Sequence, residues 1–262
     1  MDNSESQPRL DVAAIHAATQ GLRLGAPLLY FPAIGSTNTH VMELAREGAA
    51  EGLLVMTDEQ TAGRGRIGRA WKSLPGRQLE CSLLLRPTAF PPHFLVMASA
   101  VAVAESIEAV ADVQAGIKWP NDVQVDGRKV CGILIETTSD FVVLGIGLNV
   151  NGTLADDPAL AALATTLADA CGRTLSREAL AIELLQRLDA RYADLCANGT
   201  AAREALRAAW RGRLVTLGRR VTLLQGEASI SGVAEDVDES GALLLRRNDG
   251  TRQTVTWGDV SS

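Results

Sequence analysis

The chain has 262 residues, a formal net charge of −6, 47% hydrophobic residues and 21% charged ones. That length suits one or two domains, and the composition excludes a disordered or fibrous protein. The acidic balance argues against a general nucleic-acid binder, which needs a basic excess, and no apolar run reaches the roughly 18–20 residues of a membrane-spanning helix.

Residues 10 to 24 have helical spacing, and Leu28 to Phe31 is a short apolar strand leading into Ser36-Thr37-Asn38, residues of the type that cap helices. A helix over about 38–47 follows, then a strand over 53–57, a glycine-arginine loop over about 58–77 and a second strand over 79–86. Pro91 to Ala111 reads as one long helix with a buried stretch, Phe94 to Ala104. Between Gln114 and Val150 lie several β-type segments, with hairpin signals at Asp126-Gly127 and Ser139-Asp140. Three helical patterns follow, at about 157–171, 176–196 and 200–211. Past Gly212 the pattern changes to about five short strands separated by Gly226-Glu227, Glu239-Ser240-Gly241 and Asn248-Asp249-Gly250, as in a small barrel. The order is α+β rather than a strict βαβ repeat. It divides into residues 1–212, including a helical arm over 1–27, and residues 213–262.

The start, Met1 to Leu10, is polar and acidic and lacks the basic-then-apolar pattern of a secretory signal, so the cytoplasm is the expected compartment. Cys81, Cys131, Cys171 and Cys196 are too widely spaced for paired zinc ligands or a small disulfide framework and are expected to be buried reduced thiols. His16, His40 and His93 are equally scattered and give no local support to a metal site or a serine triad.

Charge is uneven. From Gln60 to Leu79 there is no acidic residue, yet Arg64, Arg66, Arg69, Lys72 and Arg77 all fall in that window, which points to an anionic ligand. In Gly63-Arg64-Gly65-Arg66-Ile67-Gly68-Arg69 the glycines let backbone approach a ligand while guanidinium groups hold phosphate or carboxylate oxygens. The spacing fits neither a Walker loop nor a dinucleotide fingerprint, and an exposed basic loop would look the same. Only three lysines stand against twenty-two arginines, so a retained lysine suggests a need for a compact, flexible ammonium. One of them, Lys118, opens Lys118-Trp119-Pro120-Asn121-Asp122, where Pro120 stops a strand and lets the lysine project into a cleft; a plain turn with a surface lysine is the alternative. Gly145-Ile146-Gly147-Leu148-Asn149 ends an apolar strand where missing side chains leave room for a ligand or mark a bulge.

Together these segments resemble the biotin protein ligases. Ser36-Thr37-Asn38, Gln60 through Trp71, Lys118 to Asp122, Lys129 to Glu136 and Gly145 to Asn149 follow in that family's order and approximate spacing. The likeness is strongest over residues 28 to 150, and the last 50 residues, with Gly258-Asp259-Val260, resemble the family's SH3-like domain. The resemblance implies a mixed β-sheet flanked by helices, of the kind shared with class II aminoacyl-tRNA synthetases and the biotin and lipoate ligases. It also implies a two-step activity: biotin is activated by MgATP to biotinyl-5'-AMP, then passed to a lysine of a biotin carboxyl carrier domain.

By position, the resemblance implies that Ser36, Thr37, Asn38 and Gln60 hydrogen-bond the ureido ring of biotin and neighbouring atoms. Gly63, Arg64, Gly65 and Arg66 would close over carboxylate and phosphate, and Lys118 would bridge the two. Gly132 and Ile133 would line the biotin pocket, with Trp71, Lys129 and Asn149 on the nucleotide side. Asp122 would orient Lys118 or help to bind magnesium; the magnesium ligands are otherwise open. About 27 residues precede the first strand of the match, too few for the winged helix of the family's DNA-binding members, so neither DNA nor a membrane is an expected partner. Gln78-Leu79-Glu80-Cys81-Ser82 departs from the family's aromatic-containing strand and leaves packing on the nucleotide side open. The sheet edge beside Gly145 to Val150 is an expected surface for a homodimer or for carrier docking. The rivals are a lipoate-protein ligase and a non-enzymatic biotin or nucleotide sensor.

Overall fold

In the computed structural model of the chain, residues 9–261 are described; the start of the expected N-terminal arm, 1–8, lies outside them. The helix expected over 10–24 is shorter. Helix α1, Val12–Ala18, starts where the Asp11 carboxylate accepts from Ala14 N at 2.9 Å. It stops where Thr19 turns its hydroxyl onto the Ile15 carbonyl and Gly21 takes a φ of 87°.

Strands β1 (Leu28–Phe31), β2 (Leu54–Thr57), β3 (Leu79–Leu85), β4 (Gly116–Lys118), β5 (Asp122–Val125), β6 (Arg128–Thr137) and β7 (Val142–Leu148) form one seven-stranded sheet. Its spatial order is β1-β2-β3-β7-β6-β5-β4. Only β1 and β2 are parallel, joined through helix α2 (Thr37–Arg46); the other neighbours are antiparallel. The sheet is therefore mixed. Asp126 and Gly127, at φ 49° and 75°, make the tight turn that their sequence predicts between β5 and β6.

Period-two side-chain alternation splits each strand between two faces. Leu54, Met56, Cys81, Leu83, Leu144, Ile146, Ile133 and Val123 face one side, where they share a core with Leu95, Ala98, Val101 and Ala102 of helix α3 (His93–Ala111). Helix α3 is long and apolar enough by composition to span a bilayer, yet most of it is enclosed in that core. Helices α4 (Pro158–Ala161) and α5 (Leu167–Cys171) replace the single helix expected there. Helices α6 (Arg177–Ala197) and α7 (Gly199–Gly212) complete the layer on α3.

The other face carries a smaller cluster, in which Val55, Leu84 and Val143 pack beneath Val41 and Ala45 of α2. Beyond that cluster, the residues on this face turn small or polar. Strands β8 (Arg220–Gln225), β9 (Ala228–Val237), β10 (Leu243–Arg246), β11 (Arg252–Val255) and β12 (Asp259–Ser261) form a separate antiparallel sheet, ordered β11-β10-β9-β8-β12. The segment after α7 joins the two sheets, since Arg213 O and Val215 N bond to Ile117 of β4.

One expectation is corrected here. The chain around Gly145 to Val150 is no sheet edge: β7 lies between β3 and β6, fully paired on both sides. The sheet ends at β1 and at β4, and residues 213–215 cover β4.

Candidate active site

A single transverse row of the sheet explains the floor of the site. Cross-strand partners share a face, and the register links Thr57, Glu80, Gly147, Gly132, Asp122 and Lys118 from β2 to β4. Two adjacent glycines in the middle leave a depression, and the Trp71 indole fills part of it. A Cβ on Gly147 would lie 2.7 Å from the indole ring; one on Gly132 would lie 3.1 Å from Lys129 Nζ and 3.2 Å from Trp71. In the next row, a Cβ on Gly145 would strike Asn38 Oδ1. Each glycine thus makes room for one named side chain of the site.

The cavity above this floor is walled by Ser36, Thr37, Asn38, Gln60, Arg64, Gly65, Arg66, Trp71, Asp122, Lys129, Gly132 and Ile133, with Arg69, Asn121 and Asp259. Most of the residues singled out in the sequence therefore converge. Ile133 contributes at the wall while its side chain belongs to the core on the opposite face. Three do not line the cavity. Gly63 stands behind the loop, where a Cβ would meet Trp71 O at 2.9 Å. Asn149 is 5% exposed, with Oδ1 accepting from Gln78 and Nδ2 donating to Thr165 O. Lys118 is half-buried on the cavity's face of the sheet, one strand beyond Asp122, and among the described residues its ammonium has no ion-pair or hydrogen-bond partner. Asp122 does not hold Lys118; it pairs with Lys129 at 2.7 Å.

Lys129 reaches this face only through a β-bulge. Strict alternation would put residues 129 and 132 on opposite sides, but the register slips between Val123 and Gln124, so that Val130 turns into the core and Lys129 turns to the cavity.

The cations are held in exchangeable pairs. Arg64 bonds Glu136 at 2.8 Å and Thr39 at 3.2 Å; Arg66 bonds Asn121 Oδ1 at 2.7 Å and Gly258 O at 3.3 Å; Arg69 bonds Asp259 at 2.5 Å. Arg64 and Arg69 are about half exposed or more, and ion pairs of that kind are worth about 0–1 kcal/mol, so an anionic ligand can displace their partners at little cost. Next to these cations, Gln60 Oε1 accepts from Thr37 N at 3.0 Å and Thr37 Oγ1 at 3.2 Å, while Asn38 Nδ2 donates to the same Glu136 as Arg64, at 2.8 Å.

The C-terminal sheet braces both ligand-facing segments. Thr216 Oγ1 accepts from Trp119 N, Gly241 O accepts from the Trp119 indole, and Gly258 and Asp259 grip the arginine loop. The structure adds four residues to the site that the sequence alone does not single out: Glu80, Asn121, Glu136 and Asp259. A signal existed for Glu80, the one acidic residue in a strand buried from end to end. Burial raises its carboxyl above the ordinary value, while hydrogen bonds from Ser73, Gln60 and Trp71 pull the other way. The thiol of Cys81 is pushed up to about 12 by burial. Cys81 and Cys131 are buried as expected; Cys171 and Cys196 are only partly so.

Comparison with known proteins agrees with this geometry. Residues 30–151 match the Biotin/lipoate A/B protein ligase family, and residues 216–261 match the biotin protein ligase C-terminal domain. The chain belongs to the biotin protein ligase family. Among its relatives is the biotin–[acetyl-CoA-carboxylase] ligase of Mycobacterium tuberculosis, 35% identical over 99% of this chain and 98% of its own length. The bifunctional ligase/repressor BirA of Bacillus subtilis is 36% identical over 88% of this chain and 72% of its own. Of solved structures, the biotin protein ligase from Aquifex aeolicus in complex with biotin and ATP superposes with a TM-score of 0.80. It is 29% identical, covering 90% of this chain and 98% of that one. The mixed sheet with flanking helices and the SH3-like C-terminal domain are those of this family.

Proposed function

We propose that this biotin protein ligase uses the glycine-floored cavity for both of its chemical steps. In the first, a biotin carboxylate oxygen attacks the α-phosphorus of ATP, forming biotinyl-5'-AMP and releasing pyrophosphate. In the second, the ε-amine of a carrier lysine attacks the acyl carbon, an amide forms, and AMP leaves with the anhydride oxygen. The first step brings two anions together, so cations must approach both. The observation that carries the reading is the convergence of Arg64, Arg66, Arg69 and Lys129 on one cavity, with Lys118 on the same sheet face.

In this reading Ser36, Thr37, Asn38 and Gln60 take the ureido ring. The loop from Gly63 to Arg66 closes over carboxylate and phosphate, and Lys118 swings its free ammonium toward both. Trp71 and Lys129 serve the nucleotide, with Asn149 supporting that side from behind the wall. Magnesium enters with the ATP phosphates. Among the described residues no three acidic, histidine or cysteine side chains cluster as a metal site. That suits an ion which keeps its waters and binds through phosphates and one or two carboxylates, and Asp122 is the wall carboxylate nearest Lys129 that fits the role.

The proposed division puts activation in residues 1–212 and the brace in 213–262, supported by the end of α7 at Gly212. The expected acceptor is a biotin carboxyl carrier domain. The expected setting is the cytoplasm, where thiols such as the four free cysteines stay reduced. Self-association through β7 is excluded by its place in the sheet, so a ligand-linked dimer would need another surface; light scattering with and without biotinyl-AMP decides it, a ligand-independent mass removing the dimer. Pyrophosphate release with biotin or lipoate, ATP and a carrier domain tests the function. Release that depends on biotin, with label on the carrier lysine, is expected; lipoate-dependent label would overturn the substrate.

A further inference from the structure

Glu80 breaks the pattern of its own strand. Every residue of β3 is buried, Glu80 is 1% exposed, and no cation among the described residues pairs with it. A buried charge is costly unless hydrogen bonds surround it, and here three donors do. Oε1 accepts from Trp71 Nε1 at 2.7 Å and from Gln60 Nε2 at 3.3 Å, and Oε2 accepts from Ser73 Oγ at 2.8 Å. Ser73 Oγ in turn accepts from Gln60 N at 3.2 Å.

Two of the donors, Gln60 and Trp71, line the cavity and meet on one Glu80 oxygen. The Gln60 amide has two ends: Nε2 on Glu80, and Oε1 on the backbone and hydroxyl of Thr37. The Thr37 donors claim the oxygen end and Glu80 anchors the nitrogen end; without that acceptor the Gln60 amide is held at one end only. Trp71 carries a donor and no acceptor, so Glu80 sets how the indole lies over Gly147 and Gly132. We infer that Glu80 is a positioning residue of the ligase reaction, one buried carboxylate that orients Gln60 on the biotin side and Trp71 on the nucleotide side together. The inference rests on the roles proposed above for those two residues.

Glu80→Leu keeps the bulk and removes both acceptors. Glu80→Gln keeps an Oε1 for Trp71 and Gln60, and its amide nitrogen can donate to Ser73. In pyrophosphate release, Glu80→Leu is expected to raise KM for biotin and for ATP by about tenfold each, the loss of one well-placed hydrogen bond per ligand, with kcat within about threefold. Glu80→Gln should restore both KM values to within about twofold. A second readout needs no turnover: the Trp71 share of fluorescence, taken as the difference between each protein and its Trp71→Phe counterpart, should shift in Glu80→Leu and return in Glu80→Gln. Glu80→Met serves the same comparison if the leucine variant does not fold.

Unchanged KM values and unchanged Trp71 emission in a folded leucine variant would overturn the inference, as would a glutamine variant as impaired as the leucine one. A wild-type chain inert toward biotin and ATP would instead bring down the reading of the site, and the emission difference would still decide whether Glu80 holds Trp71.

Discussion

Lys118 ends a three-residue strand and offers an ammonium that nothing among the described residues engages. A charge held ready for a transition state should matter more to rate than to ground-state binding. Lys118→Ala is expected to lower kcat for biotin activation by about 10²-fold or more while leaving biotin affinity within a few-fold; a proportional loss of affinity in calorimetry would contradict that role. Glu80 makes a prediction of a different kind. Its folded carboxyl titrates above the ordinary value, with burial as the main cause, so folding favours the protonated form. The associated stability is fully present below the unfolded value and is lost as pH rises through the folded one. The melting-temperature difference between Glu80→Gln and wild type should therefore move in favour of the glutamine variant as pH is raised from about 4 toward neutrality. A constant difference over that range would contradict the raised carboxyl.

The arginine loop works as an element because it is pinned at few points and strained at one. Gly65 N bonds Arg69 O, Trp71 N bonds Gly63 O, and Ile67 between them sits at φ 53°, a region that β-branched residues avoid. Local strain of this sort, in a loop whose arginines rest on exchangeable partners, suits a segment that rearranges over a reactive intermediate. Biotinyl-AMP is a mixed anhydride, and a closed loop keeps water from it. Arg66→Ala, which frees Asn121 and Gly258, should speed release of biotinyl-AMP. Gly63→Ala should do so too, because its Cβ would press on Trp71 O at 2.9 Å. Filter binding with labelled biotin measures both, and unchanged dissociation rates would refute the lid.

In the whole molecule, the two sheets meet where the chemistry is proposed. Trp119, next to Lys118, hangs from Thr216 and Gly241, and the loop hangs from Gly258 and Asp259. The C-terminal sheet thus sets the spacing between the loop cations and the lysine. Asp259→Asn should lower unfolding free energy only modestly, by about 1 kcal/mol, because Arg69 is largely exposed, although Asp259 itself is mostly enclosed and lies 3.9 Å from Arg66 as well. It should nonetheless quicken biotinyl-AMP release in the direction of Arg66→Ala. A melting curve and the same filter assay separate the two effects, and an unaltered release rate would show that the grip on the loop has no part in retention.

The sequence by itself determined the elements and most of the wall. Alternation and turn residues marked β1 to β3, the hairpin at Asp126-Gly127 and the five C-terminal strands, because local backbone preferences and burial patterns are written in neighbouring residues. Arg64 and Arg66 were legible as a compact run of unusual chemistry, whereas Ser36 to Asn38, Gln60 and Gly132 were legible as site residues only through the resemblance to a known family. Register, strand order and long-range pairing were not, because they depend on which distant segments meet. The bulge that turns Lys129 toward Asp122, the interior place of β7, and the grip of Asp259 on a loop some 190 residues earlier came only from the tertiary structure. So did the role of Glu80: the sequence shows an acidic residue in a largely apolar strand, but not that Trp71, Ser73 and Gln60 bring it three donors.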